Sequence, residues 1–339
     1  MAKEIVVKNL SLGLRGFTSN LLEEISFEID AGGILGLLGE SGCGKSLTAS
    51  ALMGLLPTEI ELRSGTLDFF GERFDLCQPE ATARLRGCEM AMVFQDALSA
   101  LNPLMRIRDQ LEECLLLHEK SSSAAARRQR SLEILERMQL KDPERVYHAY
   151  PHQLSGGMRQ RVLLAMALIH QPRFLIVDEV TTALDLKIQK EILDLLLQIH
   201  EAEALSILFI THDLRVARYL CEDLIILYAG ELVERAPAAQ WMQEPCHMYS
   251  KMLLRSVPTL EKRSSYLERI RGRVPSMGQI EAEGRRQHCI FAGRCSREFE
   301  LCHQQKPTLM TLEPGHEAAC FRAHELWREA RHADAEDHS

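Results

Sequence analysis

The sequence has no unbroken apolar run of the roughly 18–20 residues that a bilayer-spanning helix requires, so any membrane role must come through another polypeptide. Its opening, MAKEIVVKNL, lacks the cationic segment and apolar stretch of a secretory leader, and a cytoplasmic chain is expected. Positive charge is also in short supply. With 40 Lys and Arg against 48 Asp and Glu, the formal net charge is −8, which argues against duplex nucleic acid as the main partner. A nucleotide needs only local positive charge and stays open. No CxxC pair occurs among the 10 cysteines; in a reducing compartment they should be thiols, metal ligands or cluster ligands rather than disulfides. No internal repeat is visible. What is present is an ordinary globular balance, 339 residues with 46% hydrophobic and 26% charged, enough for one large domain and a smaller one.

Apolar residues Ile5, Val7 and Leu10, then residues 25–29, alternate as strands of an edge sheet ending at the turn Ala31-Gly32-Gly33. The run Ile34-Leu35-Gly36-Leu37-Leu38 is continuous, as suits a strand buried on both faces. A helical pattern follows Lys45 through Leu55, and Pro57 stops it. Residues about 104–170 carry Leu, Glu, Arg and Ala at helical spacing and predict a helical subdomain. Buried strands are expected at 174–177, ending in Asp178-Glu179, and at 207–210, ending in Thr211-His212-Asp213. Strands alternating with helices predict an α/β fold whose parallel sheet carries the chemistry at its carboxyl ends. Past Pro258 the chain turns charged, with Arg263, Arg269, Arg271 and Arg273, which suggests a linker into a small appendage; residues 334–339 read as a disordered tail.

The run Gly39-Glu40-Ser41-Gly42-Cys43-Gly44-Lys45-Ser46 fits G-x-x-x-x-G-K-[ST] between a predicted strand and a predicted helix. Such glycines let successive N–H groups point at phosphate oxygens, and the following helix presents its positive end to the same anion. Lys45 supplies charge to the outer phosphates, Ser46 a hydroxyl for Mg²⁺, and Leu47 completes the nucleotide-contact run. The Cys43 thiol receives no role. Asp178 would hold Mg²⁺ through water and Glu179 would orient or deprotonate the attacking water. A solvated acidic loop is the competing reading of that pair.

The run Leu154-Ser155-Gly156-Gly157-Met158-Arg159-Gln160-Arg161 is more specific than the phosphate loop. With Gln95 in VFQD, DEVTTALD at 178–185 and His212 in ITHD, it resembles the ABC-transporter ATPase family in motif order and spacing over about residues 3–257. The resemblance implies a P-loop parallel-sheet core, an antiparallel β subdomain and an α-helical subdomain in residues 1–257. Residues 258–339 would form a peptide-importer-type extension with a small cysteine-containing lobe. It also implies that ATP is sandwiched between two subunits. Lys45, Ser46, Gln95, Asp178, Glu179 and His212 of one chain would face Ser155, Gly156 and Gly157 of the other, with Asp185 at the seam. His212 would contact the γ-phosphate and the Glu179 carboxylate; a strand-end histidine bonded to backbone is the plain alternative. Gln95 would sense Mg²⁺, and residues 96–103 (DALSALNP) resemble the contact region for membrane subunits. Phe17 would stack on adenine, against a core or loop role. Val180 stands where the family has proline, and altered loop stiffness rather than lost activity is expected.

Cys289, Cys295, Cys302 and Cys320 follow one another at five, six and seventeen intervening residues. Their setting resembles the carboxyl-terminal region of peptide- and nickel-importer ATPases, some of which carry a [4Fe–4S] cluster; zinc and free thiols remain alternatives. Neighbouring His288, His303, His316 and His324 are expected to be solvated, with replacement of one thiol by one of them as the alternative. The reading that follows is an importer ATPase for di- or oligopeptides or a nickel complex, peripheral on the cytoplasmic face of the inner membrane. Its partners would be a second, similar ATPase subunit in a heterodimer, two transmembrane permease subunits and a periplasmic or extracellular solute-binding protein, with no nucleic acid. A soluble ABC ATPase is the alternative. Only 60 positions separate Gln95 from Ser155, too few for the long coiled coil of a chromosome-associated type.

Overall fold

The computed structural model describes residues 3–78, 80–94, 100–180, 184–256 and 270–337. In chain order the strands are β1 (Lys3–Leu14), β2 (Asn20–Asp30), β3 (Ile34–Leu38), β4 (Ile60–Phe69), β5 (Glu72–Asp75) and β6 (Met90–Val93). β7 (Phe174–Asp178), β8 (Ser206–Thr211), β9 (Asp223–Tyr228), β10 (Glu231–Pro237), β11 (Met310–Glu313) and β12 (His316–Ala318) follow. Two compact units interleave along the chain rather than dividing it near residue 257.

One unit, Lys3–Glu28, Ile34–Ala81 and Ile210–Ser339, holds an antiparallel sheet of order β2-β1-β4-β5. The alternating residues Ile5, Val7 and Leu10 are fully buried on it, and β1 pairs with β4 from Ile5↔Phe69 to Leu14↔Ile60. The parallel pairing expected from continuous apolar runs is present in β3 and β9, in register from Leu35↔Asp223 to Leu38↔Ile226. Every residue of β3 is buried.

From β9 the same run of strands turns antiparallel through β10, β12 and β11. The carboxyl-terminal region is therefore not a free appendage: two of its strands cover the edge that β10 would otherwise present. His316, expected at the surface, is fully buried on β12, with Nε2 2.8 Å from the Glu234 Oε1. Glu234 on β10 also accepts the Cys246 and His247 backbone N–H groups at 2.6 and 3.0 Å, so a buried carboxylate is satisfied from three sides. The helix Lys45–Met53 ends at Gly54, which takes a left-handed φ of 64°, before Leu55 and Pro57 are reached. A helix, Ala323–Asp337, runs through residues expected to lie in the tail.

The other unit, Ile29–Gly33 with Thr82–Phe209, pairs β6 with β7 in parallel, from Met90↔Phe174 to Val93↔Val177, with β8 next to β7. Its helices Ile107–His118, Ala124–Arg137, Pro143–His148 and Gly156–Leu168 occupy the region expected to be helical. Their buried faces include Leu111, Leu115, Leu135, Val146 and Val162. Polar ties also join them: Arg127 Nε lies 3.2 Å from the Glu112 carboxylate, and Arg161 Nη1 donates to the Met138 carbonyl at 2.8 Å.

Candidate active site

The phosphate loop lies between β3 and the helix Lys45–Met53, as its motif requires. Gly39 has φ 153°, and a Cβ there would stand 2.3 Å from the Leu227 carbonyl oxygen, so no other residue fits. Lys45 is buried, and its Nζ donates to the carbonyls of Gly39 at 2.9 Å and Glu40 at 3.2 Å. The loop is thus held in a ring by its own lysine. Cys43 is buried beneath it; burial pushes its thiol pKa up, and its carbonyl accepts the Gly230 N–H at 2.9 Å. Ser41, Gly42 and Ser46 are exposed, Gly44 and Leu47 half-buried. Hydroxyl and backbone are therefore presented outward where a phosphate and its metal would bind.

Phe17 lies in the same unit, half-buried in the turn between β1 and β2. Arg63 fixes that turn by donating to the carbonyls of Phe17 and Thr18, both at 2.6 Å. His212 also belongs to this unit and is exposed immediately after β8. Behind it Asp213 caps the helix Leu214–Leu220, accepting the Arg215 N–H at 2.9 Å.

In the other unit Asp178 is the last residue of β7 and is buried. Glu179 follows with a left-handed φ of 47°, uncommon for a residue with a side chain. With Val180 in place of proline, the residue before it is released from the steric limits a proline imposes. The signature run starts the helix Gly156–Leu168. Ser155 is its N-cap, accepting the Met158 N–H at 3.4 Å, and stays exposed. Gly157 lets this helix approach the helix Leu186–Glu203, because a Cβ would come within 2.6 Å of the Ile188 side chain. Asp185 caps that second helix with bonds to the Lys187 and Ile188 N–H groups at 3.1 and 3.0 Å, and the adjoining Leu186 is 69% exposed. Gln95 and residues 96–99 of the DALSALNP segment lie outside the described residues.

The four carboxyl-terminal cysteines come together. Cys289, Cys295, Cys302 and Cys320 line one cavity, with Phe291, Arg297 and Arg322 among its walls. Burial pushes the Cys289 thiol up to about 12 and the Cys320 thiol to about 11, and neighbouring cysteines push the same way. Backbone N–H groups work against this, from Phe291 and Ala292 onto Cys289, from Arg297 onto Cys295, and from Arg322 and Met248 onto Cys320. Among the described residues, the group whose potential ligand atoms lie mutually within 4.8 Å is instead Glu234, Cys246 and His316. Two contacts were not foreseen from sequence. Arg294, next to Cys295, holds Glu40 of the phosphate loop, and Glu281 accepts the backbone N–H groups of Thr18 and Ser19. Nothing local in the sequence marks either one.

Residues 22–182 match the ABC transporter family, and residues 233–302 match the oligopeptide/dipeptide transporter C-terminal region. The dipeptide transport ATP-binding protein DppD of Haemophilus influenzae is 40% identical over 307 residues, covering 89% of this chain and 91% of that one. A probable peptide ABC transporter ATP-binding protein, y4tR, of Sinorhizobium fredii is 38% identical over 304 residues, 89% of each chain. A solved dimer of the ATP-binding cassette MJ0796, in a post-hydrolysis state with ADP and Pi, superposes with a TM-score of 0.60 at 27% identity. It covers 69% of this chain and 98% of that one. The chain belongs to the ABC transporter family, as an ATP-binding cassette with the carboxyl-terminal region found in oligopeptide and dipeptide transporters. As such it is an ATP hydrolase that uses ATP with Mg²⁺. Among the described residues no helix is long and apolar enough to cross a membrane.

Proposed function

We propose that this chain powers the import of dipeptides or oligopeptides by closing, on ATP, against a second ATPase subunit. The pair would drive two permease subunits fed by a solute-binding protein, from the cytoplasmic face of the membrane. One observation carries the reading: an intact phosphate loop and signature helix share a chain with the oligopeptide/dipeptide-type carboxyl-terminal region. Peptide is favoured over nickel because that region and the relatives above are named for peptides. The exposed apolar side chains Phe94 and Leu104, on either side of the DALSALNP segment, suit burial against permease subunits.

In this reading Phe17 stacks on adenine, and the N–H groups of residues 39–47 cradle the phosphates. Lys45 leaves its loop carbonyls for the outer phosphates. Ser46, Gln95 and Asp178 offer the hard oxygen ligands that Mg²⁺ takes, and the ion would neutralise charge on the transferred phosphoryl group. Glu179 would accept a proton from the attacking water, and His212 would contact the γ-phosphate. The partner's signature helix, capped by Ser155, completes the charge stabilisation across the seam at Asp185. Because the site is finished only on closure, hydrolysis is coupled to motion.

An iron–sulfur cluster is the ligand this reading favours for the four cysteines that line one cavity, with zinc and free thiols as the alternatives. Tetrahedral Zn–S bonds of about 2.3 Å need sulfurs about 3.8 Å apart, whereas a four-iron cluster takes one thiolate per iron from a wider circle. The N–H groups reaching three of the sulfurs, and Arg297 and Arg322 beside them, suit bound thiolates. Such a cluster would stabilise a lobe with little apolar core. Anaerobic purification with iron and sulfide analysis tests it: four irons per chain are expected, and absence of both elements contradicts it.

For the function itself, Glu179→Gln keeps shape and removes the base. In the purified transport complex, ATP should still bind and trap a closed state while turnover falls by about 10²–10⁴. Turnover at the wild-type rate would refute the role of Glu179.

A further inference from the structure

Glu40 is an odd residue to find in a loop that must receive a triphosphate. Its carboxylate sits inside the cradle motif, and its own carbonyl accepts the Lys45 Nζ. Left bare, that negative charge would oppose the phosphates. The structure does not leave it bare. Arg294 grips it in a two-pronged contact, Nη1 to Oε2 at 2.7 Å and Nη2 to Oε1 at 3.1 Å. The guanidinium is only 7% exposed, and such paired, buried contacts are the strong ones.

Arg294 is itself fixed from every side. Nη1 donates to the Tyr228 hydroxyl at 3.1 Å and Nε to the Arg271 carbonyl at 2.7 Å. The Tyr228 ring centre lies 5.5 Å from its Cζ. Glu40 is held as firmly: its N–H donates to the Tyr249 hydroxyl at 2.7 Å, and Tyr249 packs on Tyr228 with ring centres 4.8 Å apart. The side chain, N–H and carbonyl of one loop residue thus each have a designated partner, two of them from beyond residue 240. The adenine side is treated alike, since Glu281 accepts the N–H groups of Thr18 and Ser19 at 2.8 and 3.2 Å, directly after Phe17. All these residues belong to one compact unit.

We propose that Arg294 is a positioning residue for ATP binding: it cancels the Glu40 charge and fixes that carboxylate, so the carboxyl-terminal region sets the nucleotide affinity of the phosphate loop. The inference rests on residues 39–46 being the nucleotide cradle. Lys45→Ala checks that premise separately.

The test is equilibrium binding of a fluorescent ATP analogue with Mg²⁺ to the full-length chain. Arg294→Gln should weaken binding about tenfold, because the uncancelled Glu40 then faces the phosphates. Arg294→Gln combined with Glu40→Gln should return to within about threefold of wild type, which a merely structural contact would not allow, since both partners are then lost. Arg294→Lys, which keeps the charge but loses the second prong, should fall between wild type and Arg294→Gln. Wild-type affinity in Arg294→Gln, or a double variant or a Lys variant as weak as Arg294→Gln, would overturn the proposal. If Lys45→Ala loses binding while Arg294→Gln does not, only this inference fails; if neither loses it, the cradle reading fails.

Discussion

The phosphate loop and the signature turn are both glycine-containing helix N-termini, yet the chain treats them in opposite ways. Around residues 39–46 the contacts are internal: Lys45 is buried on the loop's own carbonyls, Tyr249 and Arg294 hold Glu40, and Gly230 holds Cys43. At residues 155–157 the polar tie to the Ser155 hydroxyl among the described residues is one long cap bond, and Ser155, Asp185 and Leu186 face outward. A loop that serves its own nucleotide is finished within its own chain. If the signature turn serves a partner's nucleotide, as proposed, it must stay open until the partner arrives.

That contrast can be broken by substitution. Lys45→Ala should have the largest effect, weakening ATP binding by about 10–100-fold, because a charge-assisted contact of about 1.5–3 kcal/mol is lost. Equilibrium nucleotide binding checks it. Phe17→Ala should weaken binding about three- to tenfold, within the range of one lost stacking contact of about 1 kcal/mol, and should spare the phosphate contribution. Competition by tripolyphosphate, which has no base, separates the two. Ser155→Ala should behave differently from both, lowering turnover of the assembled complex by about tenfold while leaving ATP binding by the dilute chain within about twofold. A loss of affinity in the dilute chain would mean that Ser155 serves its own nucleotide.

The smallest effect concerns the thiol lobe. In the metal-free chain the Cys289 and Cys320 thiols are raised from 9.0 to about 12 and about 11 by burial. The unfolded chain ionises first, so the stability these thiols lend is whole below pH 9 and drains away as pH rises through 11 to 12. Thermal melting of iron-free protein should therefore fall between pH 9 and pH 11, and the metal-loaded lobe, with thiolates already formed, should change less.

Much of the site was legible because its motifs are local. Gly39 to Ser46 and Leu154 to Met158 are each one contiguous run at a helix N-terminus, so spacing alone announces them. The four cysteines were legible as a group because they fall close together in the chain, although spacing does not say whether they hold a ligand. Long-range pairing was invisible. Arg294 and Glu40 are 254 positions apart, and no periodicity marks either. The burial of His316 depends on Glu234, 82 positions earlier, on a strand whose edge the sequence left uncovered. Val180 is visible in the sequence as a departure, but the left-handed Glu179 before it is a backbone property that residue identity does not announce.

The shared site is tested most directly by following ATP binding and ATP turnover on the same full-length chain, with its partner ATPase subunit, across a dilution series. Binding per chain should hold constant, because residues 39–46 are complete in the monomer, while turnover per chain should fall away as the pair dissociates. Undiminished turnover from a particle of monomer mass would contradict the account.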